Sequence, residues 1–205
     1  MLHHKFALAL GAAIGVAGLT IFAAQAADAT RVRGTVAQFE GSTLTVKTRE
    51  GATDAIKLTD DFKISGVAKA SLEDIKVGDF VGITSVPKDD GGEGALEVVI
   101  FPAALKGTGE GRRPWDLKPN SKMNNATVAN AVTGVDGRTV TLSFKDGQEK
   151  KISIPTDTPI VTFASATPAD LVPGAGVFVI AEKGADGGLT ANRVVVGNHG
   201  IAPPM

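Results

Sequence analysis

The chain lacks cysteine and tyrosine altogether, and it contains only three histidines and one tryptophan in 205 residues. Without cysteine it can form no disulfide, offer no thiolate nucleophile and accept no lipid at a lipoprotein processing site. Beyond the N-terminal segment the soft metal donors are His199, Met123 and Met205. So few donors argue against a zinc or copper site within one chain, and we predict no metal.

An excess of charge of one sign is also missing. The chain has 21 Lys and Arg against 22 Asp and Glu, whereas proteins that bind nucleic acid concentrate positive charge. The same balance provides no polybasic patch for a membrane surface. Beyond residue 26 no apolar run approaches the length that spans a bilayer. We therefore predict no nucleic-acid partner and no membrane span in the mature protein.

The first 26 residues have the pattern of a secretory signal peptide. Lys5 precedes an apolar run over residues 6–24, and Ala24-Gln25-Ala26 provides a small-x-small cleavage site. The run is also long enough for an uncleaved anchor, but three glycines within it favour cleavage. We expect cleavage after Ala26 and a periplasmic or secreted mature protein with a net charge of about −2.

The remaining chain contains an internal duplication. Residues 32–100 align with residues 128–196 without a gap, at a constant offset of 96, and 20 of the 69 pairs are identical. The identical residues are mostly turn glycines and apolar strand residues in the same order. They include Val32/Val128, Val36/Val132, Gly41/Gly137, Gly51/Gly147, Ile56/Ile152, Gly78/Gly174 and Val98/Val194. This pattern indicates one fold that is used twice.

Each copy alternates apolar and polar residues between glycine-containing turns, which is typical of short strands joined in hairpins. Ser71 and Thr167 each precede an aspartate by three residues and predict one helical turn per copy. We therefore predict an all-β fold of two tandem small OB-like barrels, each with about six strands, and small β-sandwiches as the alternative. The predicted boundaries are 1–26 for the signal peptide, 31–102 for the first barrel, 103–125 for an ordered linker, 126–197 for the second barrel and 198–205 for a tail.

The order of motifs resembles a known family. The first copy contains SLEDIKVGDFV at residues 71–81 and Asp-Gly-Gly at residues 90–92, and the second contains ADLVPG at residues 169–174 and Asp-Gly-Gly at residues 186–188. This order resembles the exported bacterial domain of unknown function family 5666, although Ala175 stands where the first copy has Asp79. The chain is also similar to alphaproteobacterial secreted proteins that share the connecting stretch after residue 106. The resemblance implies a fold and export, and it implies no activity.

The connecting stretch contains the candidate site. Trp115 lies beside Arg112, Arg113 and Asp116, and an aromatic face among guanidinium and carboxylate groups is typical of a loop that contacts a ligand. We therefore predict these four residues as ligand-binding residues. The alternative is an ordered linker whose indole packs into the groove between the barrels, with Arg–Asp ion pairs at its rim.

No motif predicts catalysis or a cofactor. The acidic turn over residues 89–93 lacks the alternating spacing of a calcium loop, and Asp60 and Asp61 lie where a turn favours aspartate. His199 lies in a predicted surface tail, away from any candidate nucleophile. The sequence thus favours a non-catalytic binding or interaction module for a protein, a glycan or a small ligand. A structural envelope-associated protein without a small ligand is the alternative, and an enzyme is less favoured.

Overall fold

The computed structural model describes residues 29–134, 137–197 and 200–204. Within these ranges the chain forms twelve β-strands and three short 3-10 turns, and it contains no α-helix. None of the helical turns there has the length and hydropathy that a membrane span requires. The predicted signal peptide, the cleavage site and His199 lie outside the described residues. The all-β prediction is confirmed.

The strands follow the alternation of apolar and polar residues. In one of the hairpins, Leu44 and Val46 are 0 % exposed, whereas the flanking Lys47 is exposed, because successive side chains of a strand point to opposite faces. The strands are β1 (Ala29–Glu40), β2 (Thr43–Thr48), β3 (Thr53–Lys69), β4 (Phe80–Pro87), β5 (Glu93–Ile100), β6 (Gly111–Pro114), β7 (Lys122–Gly134), β8 (Gly137–Ser143), β9 (Glu149–Pro155), β10 (Ile160–Ala164), β11 (Gly176–Lys183) and β12 (Leu189–Gly197).

The predicted helical turns form at Leu72–Asp74 and Pro168–Asp170. In each of them a carboxylate oxygen of the aspartate accepts a hydrogen bond from the backbone N–H of the capping residue, at 2.8 Å from Ser71 and 2.7 Å from Thr167. This capping box satisfies donors that the short turn would otherwise leave unpaired.

Five strands close the first barrel, in the order β1-β2-β3-β12-β11 and back to β1. β3 and β12 run parallel, and the other neighbours are antiparallel. Its core consists of aliphatic side chains from both ends of the chain. Fully buried members are Leu44, Val46, Ile56, Val179, Ala181 and Val196.

The remaining long strands form a second unit in the order β5-β4-β7-β8-β9. β9 returns to β5 through a single pair, Gly94 with Ser153, and β10 continues the parallel pairing along β5. β10 also pairs with β3 and so joins the two units. Fully buried core members are Ile83, Val98, Val128, Val140, Leu142, Ile152 and Ile154.

The strand pairing corrects the prediction of one barrel per copy, over residues 31–102 and 126–197. A self-contained first copy would pair β1 with β4 and β3 with β5. Instead, β1 pairs with β11 and β3 with β12, while β4 pairs with β7. The 17-residue β3 is on the order of 55 Å long at about 3.3 Å per residue. It carries the chain away from the first barrel before β4 begins, so the two halves of the chain exchange strands.

The constant offset of 96 is also wrong over β1. Val36 pairs with Val46 before a bulge in β1, and Val128 pairs with Leu142 before the same bulge in β7. Val36 therefore corresponds to Val128, at an offset of 92, whereas the following strands keep 96. The difference is four additional residues in the β7–β8 hairpin.

The predicted strand count and linker need smaller corrections. About six strands were predicted for each copy, but the first half has five, because β3 runs without a break from Thr53 to Lys69. In the second half Pro155 and Pro159 flank a break between β9 and β10, since proline cannot donate to a sheet ladder. The stretch 103–125, predicted as a linker, contains a 3-10 turn at Ala103–Leu105, the strand β6 and the start of β7.

Candidate functional site

Strand β6 positions the two predicted arginines. Because neighbouring side chains of a strand point to opposite faces, Arg112 and Arg113 diverge. Arg112 reaches Glu93 and Asn124, with 2.9 Å from its Nη1 to Glu93 Oε2 and 2.9 Å to Asn124 Oδ1. Arg113 lies instead beside Trp115, with its Cζ 5.6 Å from the ring centroid. The prediction that all four residues converge is therefore wrong for Arg112.

Trp115 lies within a cluster of basic side chains, which we call the Trp115 cluster: Arg31, Arg33, Arg113, Trp115 and Asp116. The Cζ atom of Arg31 is 4.0 Å from the indole centroid, within cation–π distance. Asp116 accepts a 2.8 Å hydrogen bond from Arg33 and lies 3.6 Å from Arg31. Three of the four predicted site residues thus lie together.

A tight turn holds the tryptophan in place. The N–H of Trp115 donates to the carbonyl of Ser121 at 2.9 Å, and the Ser121 hydroxyl donates back to the Trp115 carbonyl at 3.0 Å. Ser121 is buried, and its own N–H donates to the Lys118 carbonyl. Asn120 adopts a positive φ of 62° at this turn, a conformation that asparagine tolerates better than most residues. These hydrogen bonds therefore hold the loop in one conformation and fix the position of the indole.

The electrostatics of the cluster are asymmetric. Burial opposes ionisation of Asp116, but the hydrogen bond and charge of Arg33 and the charge of Arg31 outweigh it, so its pKa is lowered. Burial and the charge of Arg31 lower the pKa of Arg113. Arg113 donates to the carbonyl of Gly109 at 2.8 Å, and it has no carboxylate partner among the described residues. Arg113 is therefore the arginine of the cluster that makes no ion pair with Asp116, whose single carboxylate is shared by Arg31 and Arg33.

A cavity of about 440 Å³ adjoins the Trp115 cluster. We call it the central cavity because the outer faces of both units line it, from β11 and β12 on one side and from β4, β5 and β7 on the other. Its walls are mainly apolar and aromatic, and they include Val99, Phe101, Trp115, Met123, Phe178 and Val195. Arg113 also lines it, as do Arg193 and Glu182, which are exposed and carry opposite charges. A volume of this size with few polar groups is typical of small-molecule sites.

Two buried polar atoms at the central cavity have no hydrogen-bond partner among the described residues. They are the indole Nε1 of Trp115, a donor, and Oδ1 of Asn125, an acceptor. The orientation of the Asn125 amide is fixed because its Nδ2 donates to the Thr108 carbonyl at 3.2 Å. A Cβ placed on Gly82 would lie 3.0 Å from this Oδ1 and 3.1 Å from Phe101. The free oxygen thus borders the wall of the cavity.

Arg112 belongs to a separate ion-pair network, the Glu93 cluster: Ser85, Glu93, Arg112 and Lys150. Glu93 accepts a 2.7 Å hydrogen bond from Ser85, is bonded by Arg112 and lies 3.1 Å from Lys150. Burial would raise the pKa of Glu93, but hydrogen bonds from these three residues lower it to about 2. The carboxylate is buried and paired on every side, which is typical of a structural ion pair rather than a catalytic acid.

Sequence reasoning missed several residues of the site. Arg31 and Arg33 alternate with the buried Val32 in β1, so their outward direction was predictable from the strand pattern, whereas their position beside Trp115 was not. Asn125 fell within the predicted linker, and Phe178 lies far away in sequence. No signal in a single sequence links these segments, because their proximity depends on the exchanged strands.

Among residues 29–134, 137–197 and 200–204, no group of three or more His, Asp or Glu side chains could hold a metal ion. No family model, no curated protein and no solved structure matches the chain. The resemblance to the domain of unknown function family 5666 therefore stays a prediction.

Proposed function

We propose that the protein is a non-catalytic binding module that takes a small molecule with an apolar body into the central cavity. The observation that carries this proposal is the coincidence of an apolar cavity with an unpartnered donor on Trp115 and an unpartnered acceptor on Asn125. A buried polar atom without a partner costs about 1 to 3 kcal/mol. A bound molecule that displaces the groups covering these two atoms would offset that cost.

We further propose that the module works outside the cytoplasm. The support is the N-terminal pattern of Lys5, an apolar run and Ala24-Gln25-Ala26. The absence of cysteine is compatible with an oxidising compartment, since no thiol is exposed to oxidation there. Comparing the mass of the protein recovered after export with that of the full chain tests cleavage after Ala26.

At the level of the fold, we infer that the two units are related OB-like modules from a duplicated segment. The equivalent bulges in β1 and β7 and the two capping boxes support this interpretation. So does the parallel register, in which Val194 pairs with Ile64 and Val98 pairs with Ile160. A five-stranded Greek-key barrel is typical of OB-like folds.

The proposal can be tested with the intrinsic fluorescence of the protein. Because Trp115 is the only tryptophan and tyrosine is absent, its emission reports on the cavity without interference. We expect saturable changes in emission on titration with compact apolar probes such as adamantane derivatives and short fatty acids. If no probe produces a saturable change and calorimetry detects no binding heat, the binding proposal is wrong and a structural role without a small ligand becomes the better account.

A matched pair of variants shows whether the signal comes from the central cavity. Val99 and Val161 are paired on neighbouring strands and are both nearly fully buried, but only Val99 lines the cavity. Val99→Phe should occupy the cavity and weaken probe binding about tenfold or more, a change of about 1.4 kcal/mol or more. Val161→Phe should leave probe affinity unchanged. Equal effects of both variants would place the probe elsewhere.

A further inference from the structure

The charge at the central cavity narrows the ligand class. Arg193 and Glu182 lie at exposed positions of the cavity wall, whereas Arg113 is half-buried beside Trp115, and no carboxylate of the described residues pairs with Arg113. Asp116 is the nearest candidate in sequence, but Arg33 and Arg31 already bind it. The guanidinium of Arg113 is therefore available to an anionic group within the cavity.

The surroundings of Arg113 make such a partner favourable. The side chain is partly buried, and the positive charge of Arg31 lies close enough to disfavour its charged form. A cation that is both desolvated and repelled by a like charge gains more from an anion than an exposed cation does. An Arg–carboxylate pair also has two parallel hydrogen bonds, which fix the direction of the bound group.

The rest of the cavity is suited to an uncharged, apolar body. Val99, Phe101, Met123, Phe178 and Val195 provide walls of aliphatic, aromatic and thioether groups. Burial of such a body is favourable because it removes apolar surface from water. A ligand that consists of a carboxylate on a compact hydrocarbon body would satisfy both features at once.

We propose that the central cavity selects small monocarboxylates with an apolar body, and that Arg113 determines this specificity by pairing with the carboxylate. This inference rests on the proposed binding function. Within it, Trp115 and Asn125 supply a donor and an acceptor for further polar atoms of the ligand.

Paired probes separate charge from shape. Adamantane-1-carboxylate and adamantane-1-carboxamide have the same hydrocarbon body and differ in charge, and octanoate and octanamide form a second pair. We expect each carboxylate to bind about tenfold tighter than its amide, because hydrogen bonds to a charged group contribute more to affinity than those between neutral groups. Calorimetry and Trp115 emission measure both affinities.

Substitution of the arginine assigns the preference to its side chain. Arg113→Gln should weaken carboxylate binding by about tenfold and change amide binding by less than about twofold. Lys151→Gln is the matched control, since it removes one positive charge from an exposed position on β9 that does not line the cavity. This control should leave all affinities unchanged. Thermal unfolding of each variant shows whether it is folded.

A measurement on the unaltered protein covers the case in which Arg113→Gln does not fold. Added salt should weaken carboxylate binding and leave amide binding unchanged, because salt screens only the charged pair. If the amides bind as tightly as the carboxylates, or if salt affects both alike, the assignment to carboxylates is wrong while the binding function stands. If no probe of either kind binds, the proposed function itself is wrong, and this inference fails with it.

Discussion

The two sides of the central cavity contain equivalent rows of paired residues that differ in side-chain size and charge. On the side of the first barrel, Arg33 pairs with Phe178, which pairs with Val195. On the side of the second unit, Asn125 pairs with Gly82, which pairs with Val99. The valines are the same, but the phenylalanine of the first row corresponds to a glycine in the second, and the arginine corresponds to an asparagine.

The comparison shows how the two walls of the cavity differ. The first barrel contributes the ring of Phe178 to its wall, whereas on the other side Asn125 and Phe101 close over Gly82, since a Cβ there would lie only 3.0 Å and 3.1 Å from them. The asparagine brings an unpartnered oxygen to the same side. The two walls of the central cavity thus differ in their side chains, while the cores on either side keep the same apolar pattern.

Truncation of equivalent core residues should have the largest effect and tests whether the halves are coupled. Ile56 and Ile152 occupy the same position in β3 and β9, and both are 0 % exposed. Replacement of either by alanine should lower the free energy of unfolding by about 4 kcal/mol. Because the units share exchanged strands, each variant should unfold in a single transition, as measured by circular dichroism and fluorescence.

One result of this experiment would contradict the prediction of a single transition. Two transitions, of which only one moves with each substitution, would show that the halves unfold independently. Val77→Ala serves as the control, since Val77 is 63 % exposed and its truncation should change stability by less than about 0.5 kcal/mol.

The Glu93 cluster is a difference in charge between the two units, because Leu189 occupies in β12 the position that Glu93 occupies in β5. Glu93→Gln should cost about 2 to 3 kcal/mol at neutral pH, since it leaves the Arg112 and Lys150 charges uncompensated. The pKa of Glu93 is lowered from 4.5 to about 2. Its stabilisation is therefore complete above pH 4.5 and is lost as the pH falls towards 2.

Denaturant titrations across this pH range measure the contribution. The loss of stability between pH 4.5 and 2 should be smaller in Glu93→Gln than in the unaltered protein. Glu149→Gln, at an exposed position on β9, should retain the full loss. If Glu93→Gln lost as much stability at low pH as the unaltered protein, the Glu93 cluster would not be the cause of that loss.

Adding one methyl group at Gly82 should have a moderate effect on stability. A Cβ at Gly82 would lie 3.0 Å from Asn125 Oδ1 and 3.1 Å from Phe101, so these neighbours must shift, whereas at Gly94 the contacts begin at 3.4 Å. We expect Gly82→Ala to be less stable than Gly94→Ala by about 1 kcal/mol. Thermal unfolding of the two variants compares them directly, and equal stabilities would mean that the wall at Gly82 is not tightly packed.

Asp116→Asn should have a small effect on stability, below about 1 kcal/mol, because the carboxylate is half exposed to solvent and the asparagine amide oxygen can still accept the hydrogen bond from Arg33. Asp116 is 46 % exposed, in contrast to the buried Glu93. Its lowered pKa means that its contribution is present above pH 3.8 and decreases below it. Chemical denaturation at neutral pH measures the change, and a cost as large as that of Glu93→Gln would contradict the distinction between the two clusters.

Much of the fold could be predicted from local patterns. Alternation such as Leu44 and Val46 between polar residues predicted strands, and Ser71 with Asp74 predicted a helical turn, because these signals depend only on neighbouring residues. Strand exchange could not be predicted. The strands β5 and β12 have nearly the same apolar pattern, so the sequence does not show which of them pairs with β3.

The candidate site, like the fold, could be predicted only in part. Trp115 was identified because it is the only tryptophan in the chain, and Arg113 and Asp116 were identified because they lie beside it in sequence. Arg112 was misplaced because the segment was interpreted as a loop, and a strand sends its alternate side chains to opposite faces. Asn125 carries no distinguishing sequence signal, since its role depends on the missing side chain at Gly82.

The most direct test of the exchanged strands is a pair of double-cysteine variants. Lys57 pairs with Thr190 across β3 and β12, and parallel neighbours about 4.8 Å apart permit a disulfide. The chain has no other cysteine. Lys57→Cys with Thr190→Cys should form an intramolecular disulfide in the monomer, and Lys57→Cys with Gly94→Cys should not. Self-contained copies would give the opposite result, because the same register within the first copy places residue 94 opposite residue 57.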